Sequence, residues 1–193
     1  MFSAQPFTSR LIMSQPDLFR YVWYWEKEKG TNFLSTGYQP LRVIEEICVF
    51  SRNTRFAYNA QMIPLEKPYT HTMPIKKSAV AGRMKTQAQD ASRREYKTYT
   101  HSHPKNLIKF ARDLGNKTGV ATQKPLQLME YLVRTYSHPG QTILDNTMGS
   151  GTTGVAAKSL GRNFIGMEMD EAHFQIAKNR IDGTPFDDLI RFD

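Results

Sequence analysis

Cysteine is nearly absent from this 193-residue chain. Cys48 stands alone, which excludes an internal disulfide framework and any metal site built on several thiolates. Long apolar runs are missing too, and none approaches the roughly 18 residues of a membrane-spanning helix. The N-terminus, MFSAQPFTSR, has no basic segment followed by an apolar one, so no secretion signal is read there. The expectation is a soluble cytoplasmic protein with no membrane partner. Acidic residues are also scarce, 18 Asp+Glu against 26 Lys+Arg, for a net charge of +8. What remains, with 39% hydrophobic residues, suits one globular domain able to bury about 70% of its unfolded surface.

The positive charge is regional. Residues 141–193 hold 5 basic and 8 acidic residues, whereas residues 52–117 hold 14 basic and 4 acidic. A local field of that sign suits a polyanion, because each neutralised phosphate releases condensed counterions. A merely solvated basic surface remains the alternative reading.

Three textures follow one another. Residues 1–51 read as a helix and then strands, Arg20 to Glu28 being aromatic and β-prone and Arg42 to Phe50 a second strand. Residues 52–117, which contain the basic run Lys76 to Lys97, read as a loop-rich insert with at least one helix. Residues 118–193 are the most regular. Helical spacing is predicted for Lys124 to Tyr136, a short buried strand for Thr142 to Asp145, and a helix from Thr152 to Leu160 ended by Gly161. Asn163 to Glu168 reads as the next strand, with Asp170 capping a following helix. Strand, glycine loop, helix, strand, helix implies parallel strands joined by a right-handed crossover.

The glycine loop is the chemical feature. Gly149, Gly151 and Gly154 satisfy G-x-G-x-x-G between a strand and a helix, and Glu168 lies 17 residues past Gly151. Such a loop admits a ligand against its backbone, and a carboxylate on the next strand suits a ribose diol, so an adenosine-containing cofactor is expected. Asp145 at the strand tip would repel a pyrophosphate but suits an ammonium. S-adenosyl-L-methionine is therefore favoured over a nicotinamide dinucleotide, with a ligand-free structural turn as the third reading.

With those residues in view, ILDNTMGSGTTGVAAKSLGRNFIGMEMDEAHFQIAKNRI resembles the cofactor segment of amino-group DNA methyltransferases, the adenine-N6 and cytosine-N4 enzymes. The order resembles their beta class, and ATQKPLQLMEYLVRTYSHPGQTILD resembles their TQKP segment. KGTNFLSTGYQPLRVIEEICVF resembles the strands after their catalytic motif. The resemblance implies an α/β fold, a Rossmann-like S-adenosylmethionine-dependent methyltransferase sheet, incomplete at the N-terminus and carrying a basic loop and helix insert. It implies catalytic-half strands in 1–51, a target-recognition insert in 52–117 and a cofactor half in 118–193. Asp145 and the loop Gly149, Ser150 and Gly151 would hold the methionine moiety, Thr147 and Thr152 would also contact the cofactor, Glu168 would hold the ribose, and Thr122, Gln123 and Lys124 would line the cofactor's carboxylate end. Double-stranded DNA would be the substrate, contacted through Lys76, Lys77, Arg83, Lys85, Arg93, Arg94 and Lys97, with the target base flipped out. A prokaryotic or phage genome and a restriction-modification setting are implied, and no metal.

The chain departs from the family where its catalytic signature is concerned. Ten prolines include no adjacent pair, so the Pro-Pro-aromatic motif is absent from these residues, and no catalytic residue is assigned. DNTM replaces DPFM, VATQKP replaces HPTQKP, and Ile44 stands where histidine is usual. The strand bearing the motif would lie between Thr142–Asp145 and the tryptophan strand Arg20–Glu28, leaving two half-sheets with unpaired edges. The expectation is a truncated, inactive form; a second chain supplying the missing strands is the alternative. Of the remaining residues, His101 and His103 are read as loop residues for want of a third metal ligand, Trp23 and Trp25 as core, and Cys48 as a buried thiol.

Overall fold

In a computed structural model, residues 1–74, 94–111 and 123–183 are described. The chain divides into two compact units, one formed by Met1–Asn59 with Lys105–Asp193 and the other by Ala60–Pro104.

The first unit contains two sheets. Strands β1 (Phe2–Ser3), β2 (Phe19–Thr31), β3 (Arg42–Phe50) and β6 (Leu107–Lys109) form a four-stranded sheet in the order β1-β3-β2-β6. β3 runs antiparallel to both β1 and β2, and β6 runs parallel to β2. Helix α1 (Phe7–Ser14) connects β1 to β2. Period-2 alternation along β2 sends Trp23, Trp25 and Lys27 to one face, and all three are buried. Trp23 and Trp25 meet Ile47 of β3, Ile108 of β6 and Leu128 of helix α2 (Leu126–Tyr136). Their indole N–H groups do not go unpaired: Trp25 Nε1 donates to Phe110 O (3.0 Å) and Trp23 Nε1 to the Tyr136 hydroxyl.

α2 starts two residues later than the sequence period suggests. Pro125 at its N-cap lacks an N–H and disfavours helical geometry in Lys124, so the helix begins after it. Leu128 packs on the four-stranded sheet, while Met129 and Val133 pack against Ala156 of helix α3 (Thr152–Ser159).

α3 belongs to the second sheet, in which β7 (Thr142–Asp145) pairs in parallel with β8 (Asn163–Gly166). The crossover order β7, α3, β8, α4 (Glu171–Asp182) matches the sequence expectation. Asp170 caps α4, its Oδ1 accepting the His173 N–H at 2.9 Å. Gly161 has φ +72° just past α3, as a helix stop needs.

Three expectations require correction. Thr142–Asp145 is not a buried strand: β7 has one strand neighbour among the described residues, and Leu144 is 61% exposed. The tryptophan strand does not border a gap, because β6 supplies three parallel partners at Tyr24–Glu26 and β3 covers the other edge. The strand β8 stops at Gly166 rather than Glu168, Met167 N–H giving the last bond to β7 at Asp145 O (2.9 Å).

Among its described residues the second unit forms a two-stranded antiparallel ribbon, β4 (Ile63–Pro74) with β5 (Arg94–Ser102). The described residues of 52–117 form no helix, and the basic run Lys76–Lys97 lies outside them except for its last four, Arg94–Lys97, which are strand. His101, read from the sequence as a loop residue, also lies on β5.

Candidate active site

The site is built where the tip of β7 meets the segment before α2. Within the first unit a cavity of about 980 Å³ is lined by Gln123, Lys124, Asp145, Thr147, Gly149, Ser150 and Thr152, together with Met1, Phe2, Ile47–Phe50, Phe56 and Leu144. That volume lies at the upper end of the range for small-molecule sites. Residues more than twenty positions apart in sequence therefore share one wall. Gln123 Oε1 accepts from Ser150 Oγ at 3.1 Å, tying the TQKP segment to the glycine loop.

Two acidic side chains shape the loop from within. Asp145 Oδ2 accepts from Thr153 Oγ1 (2.6 Å) and its Oδ1 from the Thr147 N–H (3.2 Å). Each oxygen keeps a further acceptor position, so the carboxylate can still meet a cation. Glu168 Oε2 accepts from the Gly149 N–H (2.8 Å), and its Oε1 from the N–H groups of Met169 (2.9 Å) and Asp170 (3.1 Å). The Asp170 and Gly149 N–H groups, in that order, hold the Glu168 carboxyl below its ordinary range.

The glycines divide by role. Gly151, at φ +76°, is the N-cap of α3, and a Cβ there would stand 2.8 Å from Ala177 Cβ, so it serves close packing. Gly149, at φ +53°, has no heavy atom within 4 Å of a Cβ position, so its backbone faces open space. A ligand can therefore approach the chain closely at Gly149, although its N–H is already taken by Glu168.

Lys124 reaches the site but is not alone in it. Its Nζ lies 3.0 Å from Glu45 Oε2, and 5.1 Å from the centre of the Phe2 ring. Lys27, 4% exposed, pairs with Glu45 Oε1 at 3.2 Å. Burial alone would raise the Glu45 carboxyl, but the two ammonium groups, Lys124 foremost, outweigh it and hold it low. Lys124 is thus a braced cation.

Sequence reasoning missed Glu45, Thr153 and Arg180. Arg180 donates to Ser150 O and to Thr152 Oγ1 (3.3 Å), pinning the loop from α4. A cation beside the inward-facing Ala177 and Ile181 was the available signal. Glu45 gave none, because its partners are 18 and 79 positions away. Thr122 lies outside the described residues, as do Lys76, Lys77, Arg83, Lys85 and Arg93. Arg94 and Lys97 fall on β5, and Lys97 is exposed, its Nζ 5.1 Å over the Tyr99 ring. Among the described residues no three His, Cys, Asp or Glu side chains gather as a metal site, and no helix is long and apolar enough to cross a membrane.

Parallel strands joined through a helix that a glycine turn opens define an α/β protein; Asp145 lies in the cavity lining, whereas Glu168 and Gly151 are not among the lining residues. The particular family follows from comparison. The family model for N6/N4 DNA methylases matches residues 10–179, and the chain belongs to that family. Type II methyltransferase M1.MboII of Moraxella bovis is 29% identical over 167 residues, covering 85% of this chain and 63% of its own length. M2.DpnII of Streptococcus pneumoniae is 46% identical over 61 residues, covering 32% of this chain and 23% of its own length. The chain thus spans only part of the relatives it matches. Among solved structures, the M1.HpyAVI–SAM complex aligns with TM-score 0.60 at 24% identity, covering 94% of this chain and 72% of that one. The cytosine-N4-specific PvuII DNA methyltransferase aligns with TM-score 0.58 at 16% identity, covering 92% and 64%. The fold is the Rossmann-like α/β fold of these methyltransferases.

Proposed function

We propose that the cavity binds S-adenosyl-L-methionine and that the chain is the cofactor-binding and DNA-contacting part of a site-specific amino-group DNA methyltransferase. The reading is carried by one observation: a carboxylate, Asp145, and an open glycine backbone share a cavity with Gln123 and Lys124. When bound, this cofactor supplies an electrophilic methyl group on a sulfonium. Asp145 would accept the ammonium, the loop Gly149, Ser150 and Gly151 would hold the methionine moiety, Thr147 and Thr152 would also contact the cofactor, and Glu168 would accept the ribose hydroxyls. Thr122, Gln123 and Lys124 would line the carboxylate end. The charge on Asp145 disfavours a pyrophosphate, which argues against a dinucleotide. Calorimetry tests this reading: S-adenosylmethionine binds and NADH does not, whereas a preference for NADH overturns it.

The domain roles follow the same reading, with strands of the catalytic half in 1–51, DNA recognition within 52–117 and the cofactor half in 118–193. DNA candidates are Lys76, Lys77, Arg83, Lys85, Arg93, Arg94 and Lys97. We infer adenine N6 as the target in a cytoplasmic restriction-modification setting, from the resemblance of the flanking segments. Restriction-protection and base analysis of methylated product distinguish it from cytosine N4. Because these residues hold no adjacent prolines, the chain alone is expected to transfer no methyl group to duplex DNA. Incorporation of label from the cofactor would overturn that expectation.

A second reading has its own observation. β7 shows one strand partner among the described residues, and β1 has two residues, both facing the cavity region through Leu144 and Phe2. A separate chain supplying a strand there would complete a binding module, and co-expression with such a chain would restore methyl transfer.

A further inference from the structure

The ribbon β4–β5 has two unlike faces. Registered pairs Tyr69↔Tyr99 and His71↔Lys97 project to one side, and Thr70↔Thr98 and Thr72↔Tyr96 to the other. On the first face the tyrosine rings stack with centroids 5.3 Å apart and planes 17° from parallel, and Lys97 Nζ sits over Tyr99. Tyr69, His71 and Lys97 are exposed. On the second, the Thr70 and Thr98 hydroxyls are bonded to each other at 3.0 Å, which uses part of their hydrogen-bonding capacity internally.

A two-stranded ribbon is marginally stable without a covered face. Here most side chains are exposed, so the ribbon is organised for a surface it meets rather than for a core. Residues 60–104 carry 8 basic and 3 acidic residues, so the complementary surface is anionic. The major groove of duplex DNA, about 12 Å wide, admits a two-stranded ribbon. We propose that the β4–β5 ribbon enters the major groove of duplex DNA on the face carrying Tyr69, His71, Lys97 and Tyr99. This inference rests on the DNA methyltransferase reading and assigns its sequence-reading surface. The His71 ring nitrogens lie where base edges are met, the stacked tyrosines form a rigid apolar wall against thymine methyls, and the Lys97 ammonium meets a phosphate.

The experiment is fluorescence anisotropy of the full chain with labelled duplex over a salt series, after selecting bound sequences from a random pool. Lys97→Gln lowers the slope of log K against log salt by about 0.9, with the selected sequence unchanged. His71→Ala weakens binding to the selected duplex at least about fivefold and relaxes the selected sequence. Thr72→Ala and Tyr96→Ala, on the opposite face, stay within about twofold, the scatter expected where no base contact is lost. S-adenosylmethionine affinity, read by calorimetry, is unchanged in all four, which shows that the first unit is intact. Loss of binding in the opposite-face pair with Lys97→Gln and His71→Ala neutral overturns the proposal while leaving the methyltransferase reading standing. Tighter binding to single-stranded DNA than to duplex also overturns it. Failure of the unaltered chain to bind either duplex or S-adenosylmethionine overturns both.

Discussion

The two sheets of the first unit contrast in how they are held. The β1-β3-β2-β6 sheet buries two tryptophans, each with its indole N–H paired, beneath α2. The β7–β8 sheet leaves Leu144 and Ile165, which are registered partners, 61% and 51% exposed on one face. Its other face packs on α3, where Phe164 lies against Gly154, and its strand tips are shaped by polar bonds to Asp145 and Glu168. One sheet is stabilised by packing and the other is shaped by hydrogen bonds around a cavity. The cavity draws on both, its lining running from Phe2 and Ile47–Phe50 of the tryptophan sheet to Leu144 and Asp145 of β7.

The sharpest way to break this contrast is Trp25→Ala. It should cost about 3–5 kcal/mol in denaturant unfolding, because a large ring is removed from a filled site. A small loss would mean that the tryptophan sheet is no more tightly packed than its neighbour. Glu45→Gln comes next, at about 2 kcal/mol, since Lys27 is left buried without its charge partner while Glu45 itself keeps some solvent contact. The Glu45 carboxyl is held low in the fold, so its stabilisation is complete above the ordinary carboxylate value of 4.5 and fades as pH falls below it. A pH series of unfolding midpoints should therefore show the Glu45→Gln deficit shrink in acid; a deficit constant from pH 7 to about 3 would show that the ion pairs contribute nothing.

Asp145→Asn should leave unfolding nearly unchanged but weaken S-adenosylmethionine about tenfold or more by calorimetry, the scale of one charge-assisted hydrogen bond. Equal affinity in both proteins would remove Asp145 from the site. Least of all, Leu144→Ser should shift stability by less than about 0.5 kcal/mol, since its side chain meets water on the uncovered face of β7. A larger loss would show that face to be covered in solution.

Local pattern made much of this legible. Arg42–Phe50, rich in Val and Ile, is strand β3 over the same residues. Asp170 before an apolar period is the N-cap of α4, and the glycines at 149 and 151 take left-handed φ. What local pattern does not carry is pairing at a distance. The three residues of β6 have no period long enough to read, yet they decide that β2 is an interior strand. The exposure of Leu144 depends on how many strands flank β7, a fact located elsewhere in the chain. At the site, spacing marked Asp145, Glu168 and the glycine loop, while the Lys27–Glu45–Lys124 cluster required knowledge of which side of β3 faces the TQKP segment.

The bonds from Gly149, Met169 and Asp170 to Glu168 also bear on kinetics. A turn already clasped by its own chain has little configurational freedom left to surrender when a guest arrives. Encounter should then be limited by travel into the crevice, with a single rapid phase in stopped-flow mixing and no slow closing step.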